Sequence, residues 1–130
     1  MIAVLKGIID KFDGNAALKA AVTGLYLNDA PQEITFPYIV YFLISTTPQD
    51  TFNTYSEDIT IQFSIFSNTR STEEVNNIFE LLKTCYDYAT LAVTGYSHIE
   101  MRRQESNLLR EPDDAAWHYQ CDYRVLIQKN

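Results

Sequence analysis

The stretch DITIQFSIFS, residues 58–67, alternates apolar and polar side chains along its whole length. The apolar side chains of one face are Ile59, Ile61, Phe63 and Ile65. The polar side chains of the other face are Thr60, Gln62 and Ser64. A period of two is typical of a β-strand with one buried face and one face in water. We therefore predict a strand over Asp58–Ser67 and work outward from it.

Upstream of this strand, the sequence predicts two helices and two further strands. Apolar residues recur at helical spacing over Ile2–Phe12 and stop at Asp13-Gly14, and a short helix follows with Asn15 as N-cap and Gly24 as a left-handed C-cap. Leu25–Asn28 is a brief strand. Tyr38–Ser45 is apolar on both alternating faces, which predicts a strand covered on two sides, by the helices or by another subunit.

The connection Thr46–Glu57 is polar and spans twelve residues, more than a hairpin needs to close. Phe52 and Tyr55 within it follow neither a helical nor a strand period. The sequence therefore predicts either a mobile excursion or an arm that docks on another molecule.

Downstream, the sequence predicts one long helix and two final strands. Ser71 and Glu74 are spaced as a capping box before an apolar stripe that continues to Ala89. His98–Glu105 is a partly exposed strand, and an acidic turn at residues 111–114 leads into a final strand over Trp117–Gln128. Trp117 is expected to point into the core, in register with two tyrosines, Tyr119 and Tyr123.

This order of elements predicts an α+β fold for residues 1–130 as a single domain. Helices would pack on one face of a mainly antiparallel sheet of four to five strands. The chain is 46% hydrophobic and 13% aromatic, which is enough to fill one core. It has no apolar run long enough to span a membrane, and its first residues lack the features of a signal peptide, so we expect it to stay in the cytosol.

The sequence offers little chemistry. It contains no nucleophile elbow, Walker loop, dinucleotide-binding or zinc-protease motif. Cys85 and Cys121 are expected to be reduced and buried, His98 and His118 to be isolated imidazoles. Two acid pairs, Glu57-Asp58 and Asp113-Asp114, have the chemistry for a cation or for acid–base work, although carboxylates beside turns are commonly solvated. We expect no enzyme activity, catalytic residue, cofactor or metal site.

The charge balance argues against tight binding to nucleic acid. Seventeen acidic and ten basic residues give a net charge of −7. A protein that grips a phosphate backbone needs the opposite sign. The same charge is compatible with a protein that lets nucleic acid pass without holding it.

Several stretches taken together resemble the tail completion or tail terminator proteins of long-tailed bacteriophages and prophages. The features that carry the resemblance span nearly the whole chain in the same order: Ala30-Pro31-Gln32, Phe36-Pro37-Tyr38-Ile39-Val40, Glu57-Asp58-Ile59, the long helix after Ser67, and the closing WHYQCDYRVLIQ of residues 117–128. None of these features is catalytic.

The resemblance implies a virion assembly protein that forms a hexameric ring at the head-proximal end of the tail tube. Its partners would be further copies of itself, the tail tube protein and the head–tail connector or neck proteins, with no membrane, and DNA would pass through without specific binding. It would assemble in the host cytoplasm and remain at the tail–head junction of the virion. Phe52, Tyr55, Arg102 and Arg103 are the candidate assembly interface.

Two other functions remain open at this point. A head–tail adaptor or stopper is a neck protein of similar size. A small α+β enzyme or ligand-binding domain would need Tyr, His and Asp side chains to converge in a pocket, which a single sequence does not reveal.

Overall fold

The protein, seen in a computed structural model that describes residues 2–111 and 116–130, has an α+β fold. The helices are α1 (Ile2–Asp13), α2 (Ala16–Ala21) and α3 (Glu73–Tyr86). The strands are β1 (Leu25–Leu27), β2 (Tyr38–Pro48), β3 (Ser56–Ser67), β4 (Tyr96–Glu111) and β5 (Ala116–Lys129). The predicted order of elements is confirmed, whereas Asp113-Asp114 lies outside the described residues.

The five strands form one sheet in the order β1-β2-β3-β5-β4. The pairs β2–β3, β3–β5 and β5–β4 are antiparallel, but β1 pairs with β2 in parallel through Leu25 opposite Ile39. The sheet is therefore mixed, and the prediction of a mainly antiparallel sheet is correct only for those three pairs. β1 runs parallel because the chain from residue 28 to residue 37 crosses back before β2 begins.

The core lies against one face of this sheet, which we call the core face. It is built by side chains that are fully buried, among them Ile39, Ile59, Ile61, Phe63, Ile65, Tyr123 and Val125. These residues share one apolar cluster with Val4 and Ile8 of α1, Leu18 of α2 and Leu82 of α3. The alternation in residues 58–67 thus correctly identifies the buried face of the central strand.

Buried tyrosines connect the helices to the sheet. The Tyr41 hydroxyl donates to the Leu5 carbonyl (3.3 Å), and the Tyr86 hydroxyl donates to the Ile8 carbonyl (2.8 Å). Burial raises the pKa of Tyr86 far above its ordinary value, so this hydroxyl stays protonated and remains a donor. Each contact satisfies a polar group that would otherwise be buried without a partner.

The chain enters β2 through contacts made by Thr23. Its backbone N–H donates to the Pro37 carbonyl (2.8 Å), and its hydroxyl donates to the Thr35 carbonyl (2.8 Å). Strand β2 then buries Ile39 and Tyr41 on the core face and Val40 on the other. The prediction of two covered faces is confirmed for this part of β2. It does not hold further along the strand, where Ile44 is 49% exposed.

Two helix ends differ from the prediction. The Asn15 side chain accepts from the Leu18 N–H (3.0 Å), as expected for an N-cap, but α2 ends at Ala21, before Gly24. The prediction of a capping box before α3 is wrong. Glu74 accepts a hydrogen bond from the Ser67 hydroxyl (2.7 Å) and does not bind back to Ser71. A buried hydroxyl on the neighbouring strand competes successfully for the carboxylate.

Trp117 lies on the core face but only at its margin. It is half-buried, its indole N–H donates to the Arg70 carbonyl (3.3 Å), and the Arg110 guanidinium lies 4.9 Å from the centre of the ring. Contacts of this kind add to the buried apolar area without requiring full burial.

We expect Trp117→Ala to lower the free energy of unfolding by about 2 kcal/mol, because a half-buried ring and one hydrogen bond are lost. Urea denaturation followed by circular dichroism measures this difference. Trp117→Phe keeps an apolar ring and is expected to lose less. A Trp117→Ala variant as stable as the parent would contradict the contacts described for this ring.

None of the helices in residues 2–111 and 116–130 combines the length and the apolarity needed to cross a lipid bilayer.

Candidate assembly interface

The connection between β2 and β3 is a β-hairpin arm and not a twelve-residue loop. Strand pairing continues through Thr47 opposite Asp58 to Pro48 opposite Glu57. Beyond it, Thr51 and Thr54 exchange backbone hydrogen bonds of 2.9 and 3.4 Å. The predicted length of the connection, Thr46–Glu57, is therefore wrong, because β2 and β3 both extend further than their apolar residues indicate.

The tip of this hairpin arm presents the two predicted aromatic side chains to solvent. Phe52 occupies one of the two turn positions between Thr51 and Thr54 and is fully exposed, at 101%. Tyr55 is 67% exposed, and its backbone carbonyl accepts from the Lys129 N–H (2.8 Å). An aromatic ring held by a paired hairpin loses little conformational freedom when it binds, which favours a role as an interface anchor.

The two predicted arginines lie on β4 and make contacts within the chain. Arg102 forms an ion pair with Glu100 (Nε to Oε1, 3.1 Å). Arg103 forms an ion pair with Asp87 (Nε to Oδ1, 3.4 Å) and lies 5.8 Å from the centre of the Phe79 ring. Both side chains remain more than a third exposed, so they are accessible to a partner as well.

Asp87 is the centre of a small network at the end of α3. It accepts a short hydrogen bond from the Tyr123 hydroxyl and also pairs with Arg103. Burial raises the pKa of Tyr123 well above its ordinary value. The network fixes Arg103 beside the end of α3, and this is a structural role that the sequence did not indicate.

The four predicted residues do not come together in a single chain. Arg102 lies opposite Arg124 on β5, whereas the tip of the hairpin arm ends at Ser56, which lies opposite Gln128 near the end of the same strand. Any site that contains all four residues would have to be formed between two molecules.

A groove on the other face of the sheet was missed by the sequence analysis. We call it the aromatic groove; it has a volume of about 470 Å³, and its lining includes Tyr38, Val40, Phe42, Gln62, Ser64, Phe66 and His118. The rings of Phe36, Tyr38, Phe66 and His118 follow one another at centroid distances of 5.3, 5.1 and 4.4 Å. The prediction that this face of β3 is wet is wrong at Gln62 and Ser64, which are only 7% and 5% exposed.

Three side chains with the chemistry for catalysis, His118, Cys85 and Cys121, make contacts within the chain. His118 Nδ1 lies 3.0 Å from Glu111 Oε1, and the ring stacks on Phe66. Burial raises the pKa of both thiols, that of Cys121 to about 12, which makes them poor nucleophiles. In the described part of the chain, no group of three or more His, Cys, Asp or Glu side chains could hold a metal ion.

His98 is held in its neutral form. Its Nδ1 accepts from the Leu91 N–H (3.1 Å), and burial lowers the pKa of its imidazole. The unfolded chain then binds a proton that the folded chain does not, so stability is lost as the pH falls below the ordinary pKa of histidine, about 6.5.

We expect the free energy of unfolding to fall between pH 7 and pH 5 more steeply for the parent than for His98→Gln. Glutamine keeps an acceptor for the Leu91 N–H and does not titrate. Urea denaturation at a series of pH values measures both slopes. Equal slopes would show that His98 does not contribute to acid sensitivity.

Comparisons with known proteins give two results. Residues 6–128 match the family described as tail completion protein gp17. The fold resembles a chain in the structure of the virion of a native gene transfer agent (GTA) particle, with a TM-score of 0.81 and 12% identity, over 95% of this chain and 92% of the other. A comparison with curated proteins gives no match.

The family match extends over nearly the whole chain and confirms the resemblance drawn from the sequence. The structural match supports the same fold. The chain therefore belongs to the tail completion protein gp17 family of bacteriophage tail structural proteins.

Proposed function

We propose that this protein caps the head-proximal end of a phage tail tube as a ring and joins the tail to the head. The observation that carries the proposal is the hairpin arm, a rigid extension with a fully exposed phenylalanine at its tip, in a chain of the tail completion family. Residues 1–130 act as one domain, with the helices on one face of the sheet. The partners are further copies of the chain, the tail tube protein and the neck proteins.

An assembly role agrees with what the surface offers. Exposed large apolar side chains include Leu27, Ile44, Phe52, Tyr55, Leu108 and Leu109, which lie on strands or on the hairpin arm. Exposed apolar side chains of this kind are available for protein–protein contact. The described residues show no group of acids, histidines or cysteines able to bind a metal, and the proposal requires none.

The charge of the chain suits a ring through which DNA moves. Six copies at −7 each carry a total charge of −42. A lumen lined by part of this charge repels the phosphate backbone, so DNA slides past and does not bind. The protein in this proposal works in the host cytoplasm during assembly and then at the tail–head junction.

Deletion of the coding sequence from its phage tests the proposal. Without a terminator, we expect tails of uncontrolled length and separate, DNA-filled heads, both visible by negative-stain electron microscopy. Supplying the protein from a plasmid during infection should restore both normal tail length and joining. Joined particles with normal tails in the deletion would overturn the proposal.

The same experiment separates the neck-protein alternative. A head–tail adaptor or stopper acts on the head side, so its deletion would leave tails of normal length and heads that lose their DNA. The family match favours the tail side, because its description is that of a tail completion protein.

A further inference from the structure

Two strand edges of the sheet are uncovered. On β4, the Tyr88 N–H donates to the Met101 carbonyl (3.0 Å), so the segment after α3 covers the first half of this strand. On β2, the Asn28 N–H donates to the Tyr41 carbonyl (2.9 Å), just after β1 ends. Among the described residues, no backbone hydrogen bond from outside the ladder reaches Glu105–Glu111 or Phe42–Pro48. Each stretch is a template for one more strand.

The free edge of β4 exposes apolar side chains on both of its faces. Leu108 and Leu109 are 38% and 43% exposed. Leu108 lies opposite Tyr119 on the core face, and Leu109 lies opposite His118 on the groove face. A helix lying on one face would cover only one leucine. A strand added in the plane of the sheet flanks both of them.

The free edge of β2 has the same character. Phe42 and Leu43 are consecutive and point to opposite faces, and Ile44, at the register shift between Leu43 and Ser45, is 49% exposed. β2 runs antiparallel to β3, β3 to β5 and β5 to β4, so β2 and β4 run in opposite directions. When two copies are placed edge to edge with the same face outward, the two edges are therefore antiparallel.

We propose that the free edge of β4 in one copy pairs with the free edge of β2 in the next copy and extends the sheet from subunit to subunit. One register matches the faces on both sides of the contact. It places Leu109 opposite Phe42, Leu108 opposite Leu43, Asn107 opposite Ser45 and Ser106 opposite Thr46, with Ile44 as the bulge residue.

This register also matches chemistry and charge. Apolar residues face apolar residues, and polar uncharged residues face residues of the same kind. The charged side chains of Glu105 and Arg110 flank the paired segment, so no charge is buried inside it. The register continues from Thr47 and Pro48 towards Arg103 and Arg102, which brings the hairpin arm of one copy near the two arginines of the next.

A second copy is the partner because the two edges lie on opposite sides of one sheet. Such a head-to-tail contact repeats, and it closes into a ring when the rotation between copies permits. The inference rests on the proposed function for the closure of the ring, but the contact itself is independent of where the ring sits.

Disulfide trapping tests the contact. Asn107→Cys and Ser45→Cys are introduced together; both positions are exposed, and the native Cys85 and Cys121 are buried. Slow oxidation of the concentrated protein should give a ladder of linked dimers, trimers and larger species on a non-reducing gel. Because the disulfide traps each contact irreversibly, a ring that forms only transiently still gives the ladder.

Single-cysteine variants control the geometry. Asn107→Cys alone and Ser45→Cys alone should remain monomeric, and a mixture of the two should stop at dimers. A ladder that fails to form, or efficient dimers of Asn107→Cys alone, would overturn the proposal; the second result would mean that β4 pairs with β4.

Leu109→Lys in the double-cysteine chain should abolish the ladder, whereas Ile2→Lys, at a site on α1 that is 77% exposed and lies on neither free edge, should retain it. Retention in both would also overturn the proposal. If the double-cysteine protein forms the ladder but deletion of the coding sequence leaves normal tails, the subunit contact is supported and the terminator function is contradicted. If the deletion gives defective tails but the ladder does not form, the terminator function is supported and the subunit contact is contradicted.

Discussion

Phe63→Ala is expected to lower the free energy of unfolding by about 3–5 kcal/mol. Phe63 is fully buried at the centre of β3. Its ring lies 4.7 Å from that of Tyr86, 5.6 Å from that of Tyr123 and 6.1 Å from that of Tyr41, measured between centroids. Three rings from three other elements lose their common neighbour, and the cavity cannot collapse without moving them. Urea denaturation followed by fluorescence and circular dichroism measures the loss.

Phe66→Ala is the matched control, because it removes the same side chain from the same strand. Phe66 is only half-buried and faces the aromatic groove. We expect a clearly smaller loss for Phe66→Ala than for Phe63→Ala. Since small domains have a total stability of about 5–15 kcal/mol, the Phe63 variant loses a large fraction of its stability. Equal losses in the two variants would show that the two faces of β3 do not differ in burial.

Replacing both Phe52 and Tyr55 with serine is expected to leave thermal stability nearly unchanged and to prevent tails from joining heads. The two rings have little packing to lose in the free chain, since Phe52 is fully exposed and Tyr55 is two-thirds exposed. Buried in an interface, each ring is worth on the order of 2 kcal/mol, and together they would change binding about a thousandfold. Melting temperature and infectious titre measure the two effects.

The serine variant at Ile2 is the matched control for this experiment. Ile2 is 77% exposed at the start of α1 and lies neither on the hairpin arm nor on a free strand edge. Its replacement should change neither stability nor titre. A double variant at Phe52 and Tyr55 that unfolds would show that these rings contribute to folding. Normal titre in that variant would show that the hairpin arm takes no part in assembly.

The elements were predictable from the sequence where burial repeats along the chain. Residues 58–67 alternate because one face of β3 lies against the apolar core, and every apolar residue of that face, Ile59 to Ile65, is fully buried. The closing strand is identified for the same reason, with Cys121, Tyr123, Val125 and Ile127 fully buried. A regular spacing of apolar residues indicates that one face of the element lies against a continuous core.

What the sequence did not reveal depends on which strand lies next to which. Thr46 and Thr47 carry no apolar pattern, yet they are strand residues because Ile59 and Asp58 lie opposite. Gln62 and Ser64 are polar and nevertheless buried, because neighbouring aromatic side chains cover them. Only part of the candidate interface could be predicted from the sequence. Phe52 and Tyr55 are recognisable as aromatic residues that fit neither a helical nor a strand period. The contacts of Arg103 with Asp87 and Phe79 could not be predicted, because they join residues far apart in the chain.

The strand order has a consequence for how the chain folds during synthesis. β5 lies between β3 and β4, so the central strand gains its second neighbour only from residues 116–129. Partners such as Ile61 and Tyr123 are separated by more than sixty residues, and contacts of such sequence separation form slowly. Until residues 116–129 have been made, one edge of β3 has no strand partner. An unpaired strand edge of this kind favours aggregation of the incomplete chain.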